Sequence, residues 1–221
     1  TWAALSSMPN ISSTVDWLSD ELIKFDDQRI AEVLVTHADG ETVRIVRTPG
    51  VGQGYTLTGV PQGRSVDSEY VVRNVATTLA NLVLDDVMPA EQMPLEGVDA
   101  VNFTVKTFDG MQVDIKSIKA LDQRLVHLAA SVLASPPVPP ALDEAAEGDH
   151  KVKQLTQAEV SAQIETFNRR WQGYTFELGD WRLAPSYKRN ADFLSAEEDQ
   201  AEDKVAPVQP PLPGTKTGAG S

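Results

Sequence analysis

Alternating apolar and polar positions predict two similar β-hairpins, about seventy residues apart along the chain. The first covers residues 33–45 and the second covers residues 103–115, and each is centred on an Asp-Gly pair. Alternation with a period of two is the pattern of a half-buried strand, and Asp-Gly is a strong turn signal between two strands. The return of the whole segment indicates an internal repeat.

The length of each hairpin loop follows from which side chains must share the buried face. A two-residue Asp-Gly turn would set Val105 opposite Asp114, whereas a three-residue loop sets Val105 opposite Val113. Because the buried face fixes the register, the three-residue loop is preferred. Such loops combine a type I turn with a left-handed glycine, which assigns that conformation to Gly40 and Gly110. The same loops also pair Phe103 with Ile115, Val35 with Val43 and Val33 with Ile45.

Each hairpin is followed by a third predicted strand and then by an amphipathic helix. The third strands lie at 54–58 and 125–129. The first helix begins near Asp67, and the second begins at Thr156, where Glu159 three residues later completes a capping box. Apolar residues at helical spacing form two stripes, Val72, Val75, Leu79, Leu82 and Val83 in the first helix and Val160, Ile164, Phe167 and Trp171 in the second.

A short strand closes each unit, at 84–88 in the first and at 174–178 in the second. The sequence therefore predicts an α+β fold of two repeated β-β-β-α-β modules, each an antiparallel sheet covered by one helix. The modules span 30–92 and 93–194, and the second contains a Pro-rich, acidic insertion at 135–150.

The ends of the chain differ from the two modules. Residues 1–29 form a leading segment, in which apolar positions over 15–25 predict a short helix. Residues 195–221 are acidic and then rich in Pro and Gly, so a disordered tail is expected there. The chain begins with Thr1 rather than Met, and we therefore interpret it as a piece of a longer protein whose anchor or export signal lies upstream.

The outer faces of the two predicted sheets carry different side chains. In the second module this face is polar throughout and is interpreted as solvated; it carries Asn102, Thr104, Lys106, Asp114 and Lys116. In the first module Leu34 and Val46 occupy the same face. We expect these two residues to mark a protein-contact face, covered by upstream modules of the same chain or by a partner.

Composition narrows the classes of function. The 221 residues carry a net charge of −13, which argues against binding to nucleic acid or to anionic lipid, because both need clustered cations. The chain contains no cysteine, which removes disulfides and thiolate chemistry. No apolar run approaches the roughly 18 residues that a membrane-spanning helix requires.

The sequence nominates no catalytic, cofactor-binding or metal-binding residues, and the chain is predicted not to be an enzyme. The histidines, His37, His127 and His150, lack the spacing of a metal site or a neighbouring nucleophile and acid. The glycine-rich run at 50–54 precedes a strand-like segment, whereas a phosphate-binding loop opens a helix. No cofactor is expected.

Several short segments, in their order and spacing, resemble one bacterial family, the domain of unknown function 4340. The resemblance covers roughly 16–194, and the segments that carry it are Asp16-Trp17-Leu18, Arg29-Ile30, Thr36-His37-Ala38-Asp39-Gly40, Gly59-Val60-Pro61-Gln62-Gly63, Leu84-Asp85-Asp86-Val87-Met88-Pro89, Phe103-Thr104, Thr107-Phe108-Asp109-Gly110 and Trp171-Gln172-Gly173-Tyr174-Thr175-Phe176-Glu177-Leu178. The Pro-rich insertion and the long tail depart from the family pattern.

The resemblance implies a membrane-anchored protein of the bacterial cell envelope, with repeated α+β modules on the periplasmic side of the inner membrane. It also implies a role as an accessory or scaffold of ABC-type transport systems, including those linked to gliding motility. The family has no defined catalytic residues to carry over. The partners expected on this basis are transporter subunits.

A second hypothesis for the function is a binding module. Here a small ligand or a glycan would occupy a cleft between the two repeats, and the aromatic candidates to line it are Tyr55, Trp181 and Tyr187.

Overall fold

The computed structural model describes residues 21–48, 54–95, 99–138 and 155–195 of the chain. Its strands and α-helices follow in the order β1 (Glu21–Lys24), β2 (Ile30–Thr36), β3 (Thr42–Arg47), β4 (Tyr55–Leu57), α1 (Glu69–Ala80), β5 (Asn81–Val83), β6 (Asp86–Pro89), β7 (Val101–Thr107), β8 (Met111–Ala120), β9 (Gln123–Val132), α2 (Gln157–Trp171), β10 (Tyr174–Gly179) and α3 (Asp180–Leu183). The fold is thus α+β, as expected.

One antiparallel sheet dominates the described residues. Its eight strands lie in the order β4-β3-β2-β7-β8-β9-β10-β6, while β1 and β5 form a separate two-stranded ribbon. Alternate residues of the large sheet point to an inner face, where both long helices pack against it and share one continuous apolar core. The other side of the sheet is called the outer face below.

Both hairpins have the predicted register. The observed pairs are Val35 with Val43, Val33 with Ile45, Val105 with Val113 and Phe103 with Ile115. The glycines of the two loops, Gly40 and Gly110, have φ angles of +89° and +93°. The N–H of each glycine donates to the carbonyl oxygen three residues earlier, at 2.9 Å in the first turn and 3.2 Å in the second. The three-residue loop is therefore confirmed in both copies.

The structure does not confirm two modules with a sheet each. Strand β2 pairs with β7, so that Val33 lies opposite Val105 and the two hairpins are hydrogen-bonded neighbours in one sheet. The order of three strands, a helix and a strand does recur. The ends of the two halves nevertheless differ: two strands follow α1, of which β5 pairs with β1 outside the large sheet and β6 pairs with β10 at its edge.

Two predicted helical segments contain strands instead. The leading helix expected over 15–25 is wrong for Glu21–Lys24, which form β1; residues 15–20 lie outside the described part. Helix α1 starts at Glu69, close to prediction, but ends at Ala80, and Leu82 lies in β5. Both errors have one cause: β1 and β5 pair with each other, and Leu22, Ile23 and Leu82 are buried through this long-range contact.

The remaining predicted elements agree more closely with the structure. The capping box of α2 is present: the Thr156 Oγ1 accepts from the Glu159 N–H at 3.3 Å, and the Glu159 Oε2 accepts from the Thr156 N–H at 2.8 Å. The strand expected at 84–88 lies at Asp86–Pro89, and the third strands and the last strand are observed where expected. The insertion at 135–150 and the tail at 195–221 lie almost wholly outside the described residues.

After α3 the chain returns to the first hairpin, and residues 184–195 are called the strap. Its Phe193 is buried in the core, and Leu194 forms a bridge with Val66. At its middle, the Arg189 guanidinium donates to Asp39 at 2.7 Å and to Glu41 at 2.5 Å. The strap therefore joins the end of the described chain to the loop of the first hairpin.

We expect low pH to weaken the contacts that Asp39 and Glu41 make with the strap. The pKa of Asp39 is lowered first by the backbone N–H of Glu41 and then by Arg189, and that of Glu41 first by the backbone N–H of Asn190 and then by Arg189. Since both pKa values are depressed in the folded chain, their contribution is present above about pH 4 and is lost as the pH falls through the folded values. The protection factor of the Asn190 amide, its exchange rate relative to an unfolded peptide at the same pH, should therefore fall below about pH 4.

The matched variant for this experiment is Arg189→Gln. Without the guanidinium, the protection factor of the Asn190 amide should already be lower at neutral pH and should change less on acidification. Equal pH profiles in the two proteins would contradict the assigned role of Arg189.

Candidate functional site

A depression of about 520 Å³ lies on the outer face of the second half of the sheet. It is lined by residues of β7, β8 and β9, of the start of β10 with the segment before it, and of the turn after β6: Ala90, Asn102, Asp114, Ile115, Lys116, His127, Leu128, Ala129, Gln172, Gly173 and Tyr174. Polar side chains therefore meet in a concave part of the outer face.

Three polar residues on neighbouring strands form a row in the lining of the depression. Lys116 of β8 lies opposite Asn102 of β7 on one side and opposite His127 of β9 on the other. Adjacent strands are about 4.8 Å apart, so the three Cα atoms span roughly 10 Å. Their chain neighbours, such as Phe103 and Val126, point to the inner face and are buried, which holds this register in place.

Small residues give the depression its space. Ala129 follows His127 on the outer face of β9. Ala90 and Gly173 also line the depression and are joined by a hydrogen bond, in which the Ala90 N–H donates to the Gly173 carbonyl at 2.9 Å. Gly173 has a φ of +88°, and a Cβ built there would meet no atom within 4 Å. A side chain larger than Ala at these positions would extend into the volume that is open now.

The imidazole of His127 is held against β10. Its Nε2 lies 2.6 Å from the Thr175 Oγ1, and the Thr175 hydroxyl donates to the Met93 carbonyl at 3.0 Å. Because a hydroxyl has one proton, the Nε2 of His127 must be the donor of the first bond. Thr175 is also fully buried. A general base must accept the proton of its nucleophile, whereas here His127 donates to Thr175. The buried Thr175 hydroxyl is also out of reach of a substrate.

The two charged side chains that line the depression, Asp114 and Lys116, differ in their hydrogen-bond and ion-pair partners. The Asp114 carboxylate accepts from the Thr104 hydroxyl at 2.8 Å and from the Gln112 amide at 2.8 and 3.1 Å. Lys116, two residues along the same strand, is half-buried and forms no ion pair within the described part of the chain. Both charges line the depression, but only the carboxylate is engaged by neighbouring side chains of the described part.

The structure does not bring the three aromatic candidates together. Tyr55 is buried; its hydroxyl donates to the Asp27 carbonyl at 2.8 Å, and burial raises its pKa. Tyr187 packs edge-on against Phe103 at 5.3 Å and donates to Ser117, whereas Trp181 is 72% exposed at another surface. None of the three lines the depression. The repeats also leave no cleft where they meet at β2 and β7, because these two strands are directly hydrogen-bonded.

Leu34 and Val46 lie on the outer face, as the hairpin register predicts. Both are half-buried, Leu34 opposite Arg44 and Val46 opposite Glu32. Glu32 itself binds Arg44 at 2.5 Å and Lys106 at 2.8 Å. The two apolar residues are therefore interspersed with an ion-paired cluster and do not form a continuous apolar patch.

Sequence reasoning placed the residues of the depression on a solvated face or, for His127, in a structural role. The alignment of Lys116 with His127 depends on the turn between β8 and β9, where Ala120 pairs with Gln123 across Leu121 and Asp122. A two-residue hairpin loop usually contains Gly or Asn, and this one contains neither, although Leu121 has a φ of +57°. The β8–β9 register, which brings the residues of the site together, could therefore not be predicted from a familiar turn sequence.

The described part of the chain contains neither a cluster of metal ligands nor a membrane-spanning helix. No group of three or more His, Asp or Glu side chains there is arranged to hold a metal ion. None of the helices in the same part of the chain combines the length and apolar character needed to cross a membrane. Comparison of the chain with protein-family models, with curated proteins and with solved structures found no match.

Proposed function

We propose that this chain is a non-enzymatic binding module and that the depression on the outer face is its ligand site. The observation that carries the proposal is the row Asn102, Lys116 and His127, which presents three polar side chains from three strands to one concave surface. A well-formed pocket with a few convergent polar groups is the default location for ligand binding.

The size and rigidity of the depression support binding of a small polar molecule. Its volume of about 520 Å³ is in the range typical of ligand pockets. The strands that carry the row are held by backbone pairing on both sides, so little ordering is needed when a ligand binds. Binding rather than catalysis is favoured because the bond from His127 to the buried Thr175 does not activate a nucleophile.

Filling the depression tests the proposal. We expect Ala129→Trp to abolish ligand binding with little change in the melting temperature, because Ala129 is exposed and a strand tolerates Trp. The control is Ala162→Trp, which adds the same bulk at an exposed position of α2. Backbone amide shifts of Ala129 and Gly173 would be followed during titration with glucose, N-acetylglucosamine and glucuronate.

The result expected is a set of shifts confined to the depression, lost in Ala129→Trp and kept in Ala162→Trp. Shifts of equal size in both variants would place the ligand elsewhere on the molecule and remove the proposal.

The two halves of the chain are proposed to have arisen by duplication of a β-β-β-α-β unit. The recurrent order of elements and the two equivalent turns at Gly40 and Gly110 support this. For the cellular role, the resemblance of the quoted segments to the domain of unknown function 4340 supports a periplasmic accessory of an ABC-type transport system. In that role Leu34 and Val46 would contact the partner.

Affinity purification of the anchored, full-length protein from native membranes tests the accessory role. Recovery of transporter subunits in constant proportion, reduced by changing Leu34 and Val46 to Thr, is the expected result. Recovery of the protein alone after crosslinking would contradict the accessory role. The proposal of a ligand site would not be affected by that result.

A further inference from the structure

Lys116 differs from the other cations that share its face of the sheet. Arg44 and Lys106 both bind the Glu32 carboxylate, at 2.5 and 2.8 Å. Lys116 is half-buried like Lys106, yet it forms no ion pair within the described residues. Opposite charges on one sheet face commonly pair across strands, and Lys116 lacks such a partner among the described residues.

The nearest carboxylate does not serve as the missing counter-charge. Asp114 lies two residues away on the same face of β8, but its Oδ1 is bound by Thr104 and Gln112 and its Oδ2 by Gln112. These bonds direct the carboxylate along β7 and β8 and away from Lys116. The cation is left between Asn102 and His127, in the lining of the depression.

We infer that the ligand of the depression carries a carboxylate, which binds the Lys116 ammonium with the Asn102 amide beside it. The inference rests on the proposed binding function. An ammonium-to-carboxylate hydrogen bond is about twice as strong as one between neutral groups, so it would dominate recognition in a depression of this size.

A carboxylate fits better than a phosphate. Phosphate groups are typically held by several donors, such as the backbone N–H groups of a loop together with Arg or Lys. The depression offers one ammonium, and the Nε2 proton of His127 is already committed to Thr175. Asp114 beside the site and the net charge of −13 repel a dianion about twice as strongly as a monoanion.

The remaining lining indicates the rest of the ligand. Asn102, Asp114 and Gln172 supply amide donors and carbonyl or carboxylate acceptors, which match hydroxyl groups. The apolar side chains of Ile115 and Leu128 belong to the inner face, since both residues are buried in the core. A hydroxylated carboxylic acid, such as a hexuronic acid, therefore fits the site better than an apolar acid.

The experiment compares Lys116→Gln with Lys119→Gln in the full chain. Both changes remove one positive charge from β8, but Lys119 lies on the opposite face and pairs with Asp180 at 3.2 Å. Glucuronate, glucose and glucose 6-phosphate are titrated separately while the backbone amides of Asn102, Lys116 and Gly173 are followed. We expect glucuronate to bind most tightly, with its Kd rising at least about tenfold in Lys116→Gln and unchanged in Lys119→Gln.

The other outcomes overturn the inference in distinguishable ways. If glucose and glucuronate bind the depression equally and Lys116→Gln affects neither, the carboxylate assignment falls while the binding site stands. Tighter binding of glucose 6-phosphate would replace the carboxylate by a phosphate. If none of the three compounds shifts the amides of the depression, the inference and the proposed function both fall.

Discussion

Replacing Phe103 with Ala should lower the free energy of unfolding of the chain by about 3–5 kcal/mol. Phe103 is fully buried in the middle of β7, where it lies opposite Val35 of β2 and Ile115 of β8. Its ring also packs edge-on against Tyr187 at 5.3 Å, just before the strap crosses to the first hairpin. Truncation would therefore open a cavity that elements from both halves of the chain must share.

The same experiment tests whether the two halves unfold together. One sheet and one core predict a single cooperative transition in urea, shifted to lower concentration in Phe103→Ala and detected equally by far-UV circular dichroism and by tryptophan fluorescence. The control is Tyr70→Ala, which removes an aromatic ring that is 73% exposed on α1 and should change stability little. Two separable transitions, only one of them moved by Phe103→Ala, would show that the halves are independent modules.

Local sequence was sufficient for the hairpins and insufficient for the way they meet. In each hairpin, the alternating strand residues and the Asp-Gly pair lie close together in the sequence. Register and turn type could therefore be deduced together. The pairing of β2 with β7 joins strands that four other strands and a helix separate along the chain. No local pattern encodes such a contact, because any strand with an apolar face could occupy that edge.

The ribbon of β1 and β5 shows the same limit at the level of single elements. Leu79 and Leu82 have helical spacing, and the prediction therefore continued the helix through both. In the structure the helix stops at Ala80, whose carbonyl accepts from the Phe25 N–H at 2.9 Å. A partner strand about sixty residues earlier thus ends the helix, which outweighs the local preference.

The candidate site was less predictable than the fold because its residues look ordinary one by one. Lys116 and Asn102 occupy positions that a solvated strand face fills with polar residues in any case. What distinguishes Lys116 is the absence of an ion pair among the described residues, and that depends on where Thr104 and Gln112 direct the Asp114 carboxylate. Such a difference arises only in the folded structure.

The two Asp-Gly turns look alike in sequence but differ in charge burial, and this gives the second large expected effect. Asp109 of the second turn binds the Arg29 Nε at 2.8 Å, and the two side chains are only 1% and 11% exposed. Arg29 also donates to the Gln163 side chain of α2 at 3.0 Å. The ion pair therefore ties the start of β2, the second turn and the second helix together.

We expect Asp109→Asn to cost about 3 kcal/mol of stability, because it leaves the Arg29 charge buried without a counter-charge while Asn can still form the turn. Asp39→Asn is the matched control: it makes the same change at the equivalent position of the first turn, where Asp39 is 55% exposed and pairs with an exposed Arg189. The loss there should be far smaller, since ion pairs at the surface contribute little.

A double-mutant cycle with Arg29→Met separates the burial of a lone charge from loss of the contact. If the charge causes the cost, adding Arg29→Met to Asp109→Asn should restore part of the stability in urea denaturation, because the unpaired cation is then removed. Additive losses in the double mutant would instead show that Arg29 and Asp109 act independently. In that case the difference between the two turns would have to come from the packing of the second turn alone.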